Sequence, residues 1–202
     1  MAPAAPGRSR RRSAGDRRAQ LVAIGLELLP TTPVQELTID EVARRAGISR
    51  SLLFHYFASK RDYYTAVTRA AADVLLEHLA PRTGPPGRGQ AAGMLERYVS
   101  WVETYREAHL SFVRGAAAGD PWVAEVYEET REQLVDVTLA ALDVPDDEHR
   151  RQLVRAWFAF TEDLVGQWVR QPTLARADLV DLLRDLLDGL LAPRPAGPQP
   201  GP

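Results

Sequence analysis

The most constraining feature of this sequence is a pair of short apolar segments on either side of Gly47. The first segment opens with Thr38-x-x-Glu41, a capping box in which each side chain can satisfy a backbone N–H at the start of a helix. Gly47 suits the left-handed residue that ends such a helix, and Ser49 can cap the next one. The stretch therefore predicts a helix, a tight turn and a second helix over about residues 50–57.

Elsewhere, apolar residues recur at helical spacing between clear breaks. Pro30 and Pro33, the loop at residues 81–89 and the VPDD segment at residues 144–147 interrupt the pattern. Ser59 and Asp120-Pro121 are start signals, and Gly119 is a stop signal. These signals predict further helices over about residues 16–29, 59–79, 90–108, 110–118, 121–142, 147–170 and 174–191. No segment alternates as a strand does, so the predicted fold class is all-α, with about nine helices.

Composition predicts four segments along the chain. Residues 1–14 are rich in Pro, Gly, Ser and Arg, and we expect a disordered basic arm there. Residues 15–60 form the predicted helix-turn-helix domain, which has three helices. Residues 61–192 form a larger helical domain, and residues 193–202 form a disordered tail.

Charge differs sharply between the two ends of the chain. Residues 1–61 carry eleven Lys and Arg against five Asp and Glu, a net charge of +6, and the remainder carries −8. This asymmetry indicates that the N-terminal part meets a polyanion. The chain contains no cysteine, which excludes disulfides and thiol catalysis. No apolar run approaches the roughly 18 residues of a membrane span. We therefore expect a cytoplasmic bacterial protein that makes no membrane contact.

The second helix of such a motif presents its N-terminal residues to base edges in the major groove. Arg50 can donate two hydrogen bonds to guanine, Ser51 can bond several bases, and Leu52 can rest on a thymine methyl group. Leu53 and Phe57 share the opposite face and are predicted core residues.

Phosphate contacts are predicted nearer the end of this helix and beyond it. His55 and Tyr56 lie where the groove wall comes within reach. Lys60, the one lysine in the chain, stands in the first turn of the following helix, where its ammonium and backbone N–H groups can hold a phosphate together. Thr38 is a cap whose helix turn can also meet a phosphate. The basic run at residues 8–12 either reaches a neighbouring groove or is a solvated tail.

The string GISRSLLFHYFASKRD, with TIDEVARRAG before it, resembles the signature of tetracycline-repressor-type (TetR family) transcriptional regulators. The resemblance covers residues 17–67. It implies that Arg50, Ser51 and Leu52 read bases, and that His55, Tyr56 and Lys60 touch phosphates. Phe54 stands where the family commonly has tyrosine, so the phosphate contact of that hydroxyl is not expected in this chain.

The resemblance also implies that the larger domain makes a homodimer through its last two helices. The predicted interface residues are Ala156, Phe160, Leu164, Leu179, Leu183, Leu186, Leu187 and Leu190. The alternative is that these faces form the core of one subunit, and both can hold together, since a leucine-rich helix can bury two faces. A dimer would place two recognition helices about 34 Å apart, which requires an inverted-repeat operator in double-stranded DNA.

A small-molecule inducer is a further implication of the resemblance. The candidate contacts for an aromatic or amphipathic ligand are Tyr98, Trp101, Tyr105, His109, Phe112, Trp122, Tyr127, Phe158 and Glu162. Aromatic residues at helical spacing also build ordinary helical cores, so the core alternative stays open. If Glu162 is buried, it favours a cation.

Other function classes receive little support from the sequence. GPPGRG matches neither a P-loop nor a dinucleotide motif, and the four histidines lack metal-ligand spacing. We therefore expect no catalytic site, metal or cofactor. The predicted function is a DNA-binding transcriptional regulator, specifically a homodimeric repressor that a small molecule releases from DNA. A helical adaptor that does not bind DNA is the alternative, and activation in place of repression also stays open.

Overall fold

A computed structural model describes residues 14–82, 84–118 and 121–192. Within these ranges the chain forms nine α-helices and one short 3₁₀ helix, without strands, as the apolar spacing predicts. The helices are α1 Ala14–Leu28, the 3₁₀ helix Val34–Glu36, α2 Ile39–Ala46, α3 Arg50–Tyr56, α4 Lys60–Leu79, α5 Arg88–Thr104, α6 Arg106–Ala117, α7 Pro121–Leu142, α8 Glu148–Trp168 and α9 Arg176–Leu191.

Local chemistry sets the ends of α2 and α3. The Thr38 hydroxyl accepts the Glu41 backbone N–H, and the Ser49 hydroxyl accepts that of Leu52. Gly47 closes α2 at φ 65°, in the left-handed region that glycine enters without strain. The capping box is only half formed, because the Glu41 carboxylate bonds Arg44 and Arg45 and does not turn back to Thr38. Two guanidiniums outcompete one amide for this carboxylate.

Helices α1, α2 and α3 pack into a small unit, here called the head, which rests on α4. Leu53 and Phe57 are buried in its core, as predicted. The Tyr63 hydroxyl of α4 donates a 3.0 Å hydrogen bond to the Leu21 carbonyl oxygen, and the Tyr64 hydroxyl donates to the Leu37 carbonyl oxygen. The first turns of α4 are therefore fixed to the head by packing and by hydrogen bonds.

The remaining helices enclose a second core. Its buried members include Leu95, Val99, Leu134 and Trp157. The two helices predicted over residues 90–108 and 110–118 are present, but the break between them lies earlier than predicted, at Tyr105, whose φ of −110° and ψ of 30° separate α5 from α6. The loop prediction at residues 81–89 extends one or two residues too far, since α5 begins at Arg88.

The last two helices pack closely within one subunit. The indole N–H of Trp157 donates a 2.9 Å hydrogen bond to the Leu183 carbonyl oxygen. Leu179, Leu183 and Leu187 are fully buried between α9 and its neighbours. These three predicted interface residues therefore belong to the core of the subunit, which is the alternative that the sequence left open, and they present no surface to a partner.

Some predictions fall outside the described residues. These concern the basic arm, the disordered tail from residue 193, and the helix signals at Gly119 and Asp120. The boundary between the predicted domains at residue 60 coincides with the start of α4. In the described ranges, none of the helices has the combined length and apolar character that crossing a bilayer requires.

Candidate DNA-reading surface and effector cavity

The start of α3 presents the predicted base-reading side chains to solvent. Arg50 and Ser51 are exposed, and Leu52, at 39% exposure, is one of the few large apolar side chains of the described residues left open to solvent. The Arg50 guanidinium lies 3.3 Å from the Asp40 carboxylate of α2. Both partners are well exposed, so the ion pair contributes little stability and can be exchanged for a base edge.

The predicted phosphate contacts lie around the same surface. His55 is exposed and meets the half-buried Tyr56 ring edge-on at 5.4 Å. Lys60 is exposed, and its ammonium lies 4.9 Å from the centre of the Tyr64 ring. Thr38 is exposed at the start of α2, with its hydroxyl engaged by the Glu41 amide.

At the start of α4, backbone N–H groups that could bind a phosphate are already hydrogen-bonded within the protein. The Asp62 carboxylate accepts the Ala58 backbone N–H at 2.9 Å, and the Ser59 hydroxyl accepts the Asp62 N–H at 3.0 Å. Two amide groups of this turn are therefore already engaged. Arg18 lies 3.6 Å from Asp62 and offsets its charge. Among the described residues, no carboxylate forms an ion pair with Lys60, so its ammonium is the group available to a phosphate.

A cavity of about 120 Å³ lies where the head meets the larger domain. Seven of the nine predicted ligand contacts line it: Tyr98, Trp101, Tyr105, His109, Phe112, Tyr127 and Glu162. They come from α5, α6, α7 and α8, which converge on α4. Trp122 and Phe158 are not in the lining. Trp122 packs against the core of the head, and Phe158 is buried beside Trp157, with ring centres 4.9 Å apart.

Residues of the head also line this cavity, which the sequence did not reveal. Leu26 of α1, Leu29 in the turn that follows it and Val34 of the 3₁₀ helix form part of its wall. On α4, the small side chains of Ala71 and Ala72 leave room for the space. The other lining residues not predicted are Thr68, Val74, Leu75, Ala108, Thr130, Arg131 and Leu134. Apolar spacing alone cannot separate them from core residues.

Two hydrogen-bonded pairs of polar side chains lie among the aromatic residues that line the cavity. The Tyr127 hydroxyl donates a 2.5 Å hydrogen bond to Oε2 of Glu162. Burial raises the pKa of the Glu162 carboxyl above its usual value, while the Tyr127 hydrogen bond and the nearby charge of Arg131 partly oppose that change. The Tyr98 hydroxyl lies 3.2 Å from Nε2 of His109. Burial lowers the pKa of His109 to about 4, so its imidazole is uncharged at neutral pH.

Helices α8 and α9, which pack against each other, each leave apolar side chains exposed on their outer faces. Phe160 and Leu182 are each 46% exposed, and Ala156 is exposed on the same side of α8 as Phe160. Leu164, Leu186 and Leu190 are half-buried at the edges of the second core. Phe160 and Leu182 are two of the five large apolar side chains that the described part of the chain leaves exposed.

Comparison with known proteins relates both parts of the chain to regulators. The family described as "Bacterial regulatory proteins, tetR family" matches residues 21–67, and "Tetracyclin repressor-like, C-terminal domain" matches residues 87–188. The transcriptional activator FasR of Mycolicibacterium smegmatis is 25% identical over 159 residues, which is 76% of this chain and 73% of FasR. The regulator BetI of Cronobacter sakazakii is 25% identical over 91% of this chain and 93% of its own.

A solved structure shows the same architecture. The crystal structure of a tetR-family transcriptional regulator from Streptomyces coelicolor superposes with a TM-score of 0.76 at 28% identity. The match covers 89% of this chain and 82% of the other. The likeness in fold therefore extends over the head and the larger helical domain together.

Proposed function

The chain belongs to the tetR family of DNA-binding transcriptional regulators, and from that premise we propose that it is a homodimeric repressor released from an inverted-repeat operator by a small molecule. Regulators of this family are not enzymes, and we expect the protein to act in the bacterial cytoplasm, where its DNA is. The observation that carries the proposal is the exposed start of α3, with Arg50 and Ser51 on a helix that Ser49 caps.

In the proposed complex, α3 lies in the major groove. Arg50 exchanges its ion pair with Asp40 for two hydrogen bonds to a guanine, and Leu52 covers a thymine methyl group. Ser51 adds an adaptable hydrogen bond. On the groove walls, His55, Tyr56, Lys60 and the first turn of α2 at Thr38 meet phosphates, which fix the register without reading sequence.

The proposed dimer uses the outward faces of α8 and α9. Phe160 and Leu182 are its centre, because they are the largest exposed apolar side chains there. Ala156 lets the helices of the partner approach closely, and Leu164, Leu186 and Leu190 surround the contact. Two helices from each subunit would form a four-helix interface, which a twofold axis makes self-complementary.

Release follows from the position of the cavity. A ligand among Tyr98, Trp101 and Tyr105 also presses on Leu26 and Leu29 of the head, since all of them line one space. We propose that this pressure shifts α4 and changes the separation of the two heads. The ligand must bind the released state better than the DNA-bound state. Moving the ratio of the states from 1:99 to 99:1 takes about 5.5 kcal/mol of differential binding.

A second contact connects α6 to the head. The Ser111 hydroxyl donates a 3.0 Å hydrogen bond to Oε1 of Gln35 in the 3₁₀ helix. Phe112 and His109, which are also on α6, line the cavity. Movement of α6 on ligand binding would therefore reach the head by a route separate from α4.

Selection of bound duplexes from a random pool tests the proposal. We expect an inverted repeat whose half-sites are about one turn, roughly 34 Å, apart. A single unrepeated site would contradict the dimer, and no enrichment at low salt would contradict DNA reading. Transcription in vitro from a promoter carrying the selected site then distinguishes repression from activation, since FasR bears the name of an activator.

A further inference from the structure

Glu162 is the single carboxylate that lines the cavity in the described part of the chain. Its Oε2 accepts the Tyr127 hydroxyl at 2.5 Å. None of the described residues donates a hydrogen bond to its Oε1. One oxygen of the carboxylate is therefore fixed by the protein, and the other is available to a group inside the cavity.

The carboxylate also lacks a close counter-ion. No guanidinium or ammonium of the described residues lies within the 4.0 Å of an ion pair with it. The groups facing it are Tyr98 on α5, His109 on α6, and Tyr127, Glu128 and Arg131 on α7. Arg131 favours the charged carboxylate and Glu128 opposes it, while Glu128 itself pairs with Arg155 at 3.3 Å. His109 is uncharged at neutral pH.

Aromatic rings surround the rest of the space. The centres of Trp101 and Tyr105 lie 4.1 Å apart, and those of Phe112 and Tyr127 lie 5.8 Å apart. The negative faces of such rings attract cations that are held within about 6 Å. The Arg131 guanidinium already makes such a cation–π contact, 5.1 Å from the centre of the Tyr127 ring.

Arg131 supplies the one guanidinium in the described lining of the cavity, and it lies near Glu162. Its Nη2 donates to the Arg155 carbonyl oxygen at 3.1 Å. Its Nε is buried and makes no hydrogen bond within the described residues. A carboxylate bound near this guanidinium would also lie near Glu162, and like charges repel strongly where water is scarce.

We propose that the effector is a lipophilic aromatic cation that stacks among Trp101, Tyr105 and Tyr98 and places its charge against Oε1 of Glu162. The inference rests on the proposed release by a small molecule and names the chemical class of that molecule. A cavity of about 150 Å³ takes one benzene ring, and this one holds about 120 Å³. A cation with several fused rings must therefore push its walls apart, including Leu26, Leu29 and Val34 of the head.

Three tricyclic probes of similar shape test the charge preference. Proflavin is a cation, acridine is uncharged at neutral pH, and anthracene-9-carboxylate is an anion. Each is titrated by calorimetry, without DNA, into the wild-type protein, Glu162→Gln and Asp163→Asn. Glutamine keeps an oxygen for the Tyr127 hydroxyl, and Asp163 is the exposed neighbour on α8, where it accepts a hydrogen bond from Gln167. Thermal melts confirm that each variant is folded.

We expect the wild type to prefer proflavin over both other probes. Glu162→Gln should weaken proflavin by about tenfold or more, since close buried charge pairs couple strongly. The same change should leave acridine unaffected, and Asp163→Asn should change nothing. Proflavin affinity of the wild type should also fall as acid protonates Glu162.

Several outcomes would overturn the assignment: tighter binding of the anthracene carboxylate, equal proflavin affinity in Glu162→Gln, or no proflavin binding by the wild type. These outcomes are independent of operator selection. A protein that selects an inverted repeat but ignores proflavin contradicts only the ligand class. A protein that binds proflavin but selects no DNA contradicts the regulatory proposal.

Discussion

Gly25 of α1 and Val67 of α4 lie so close that a Cβ on Gly25 would stand 2.5 Å from Cγ2 of Val67 and 2.7 Å from the Tyr63 hydroxyl oxygen. Val67 is fully buried and branched at Cβ, so it has little freedom to move aside. This contact places the head against α4, the helix through which we propose that the ligand acts.

Gly25→Ala should therefore destabilise the protein. Overpacking costs about 1–3 kcal/mol and exceeds the gain of up to about 1 kcal/mol that alanine offers in a helix. We expect a net loss of about 1 kcal/mol or more in the free energy of urea unfolding. Gly89→Ala is the control, because nothing lies within 4 Å of its added Cβ. Equal stability of Gly25→Ala and the wild type would show that the two helices can separate without cost.

Arg50→Ala should relax the preference for one base position in each half-site. The expected loss on the preferred sequence is about 1–3 kcal/mol, the value of one bidentate contact to guanine. Competition binding with operators that vary at each position measures it. Arg44→Ala is the control, since Arg44 is exposed on α2 and pairs with Glu41. If Arg50→Ala kept the preference intact, Arg50 would not be a base reader.

Lys60→Ala should weaken binding to all sequences alike. Losing one phosphate contact lowers the slope of log affinity against log salt by about 1. Titrations at several salt concentrations measure that slope, and Lys60→Arg, which keeps the charge, should preserve it. A loss confined to one operator sequence would contradict a phosphate role for Lys60.

Phe160→Glu and Leu182→Glu should each produce folded monomers in light scattering, because both side chains are exposed in the subunit and would be buried in the proposed dimer. Leu52→Glu, equally exposed but on the head, should remain dimeric. Leu183→Glu should unfold the subunit, since Leu183 is fully buried. A dimer that survives both surface substitutions would place the interface elsewhere.

Acid should destabilise the protein through His109. Its pKa is lowered from 6.5 to about 4 in the folded state, so the unfolded chain binds the proton more readily between these values. Stability therefore falls as pH decreases through this window and is insensitive to His109 above it. Thermal melts across the range measure the loss, which should be smaller in His109→Gln. Parallel pH profiles for the two proteins would contradict burial as the cause.

Local chemistry explains how much of the fold the sequence revealed. Thr38, Gly47, Ser49 and Ser59 each determine a helix end through a bond or a backbone angle within four residues, and each is found as predicted. The break at Tyr105 has no such signal, since Thr104 and Arg106 beside it continue a helix readily. The Tyr105 ring lies 4.1 Å from that of Trp101, which is one helical turn earlier and also lines the cavity.

Which way each side chain points was harder to predict from the sequence than where the helices lie. Leucines at 179, 182, 183, 186, 187 and 190 form a broad apolar face on α9 beside a stripe of aspartates. Apolar spacing could not separate the leucines buried within the subunit from those at its surface. The structure buries Leu183 and exposes Leu182. Seven cavity residues were found because the helices of the larger domain carry many aromatic residues and one of them adds Glu162, whereas Leu26 and Val34 look like any core residue.

The wall that Leu26, Leu29 and Val34 contribute to the cavity has a consequence for engineering. Sensors are often built by grafting the operator-recognition module of one regulator onto the response module of another. In this protein such a chimera would exchange part of the wall of the ligand cavity together with the operator specificity. Replacing residues 15–60 should therefore alter which compounds are detected. To keep the original ligand specificity, the chimera would have to retain Leu26, Leu29 and Val34.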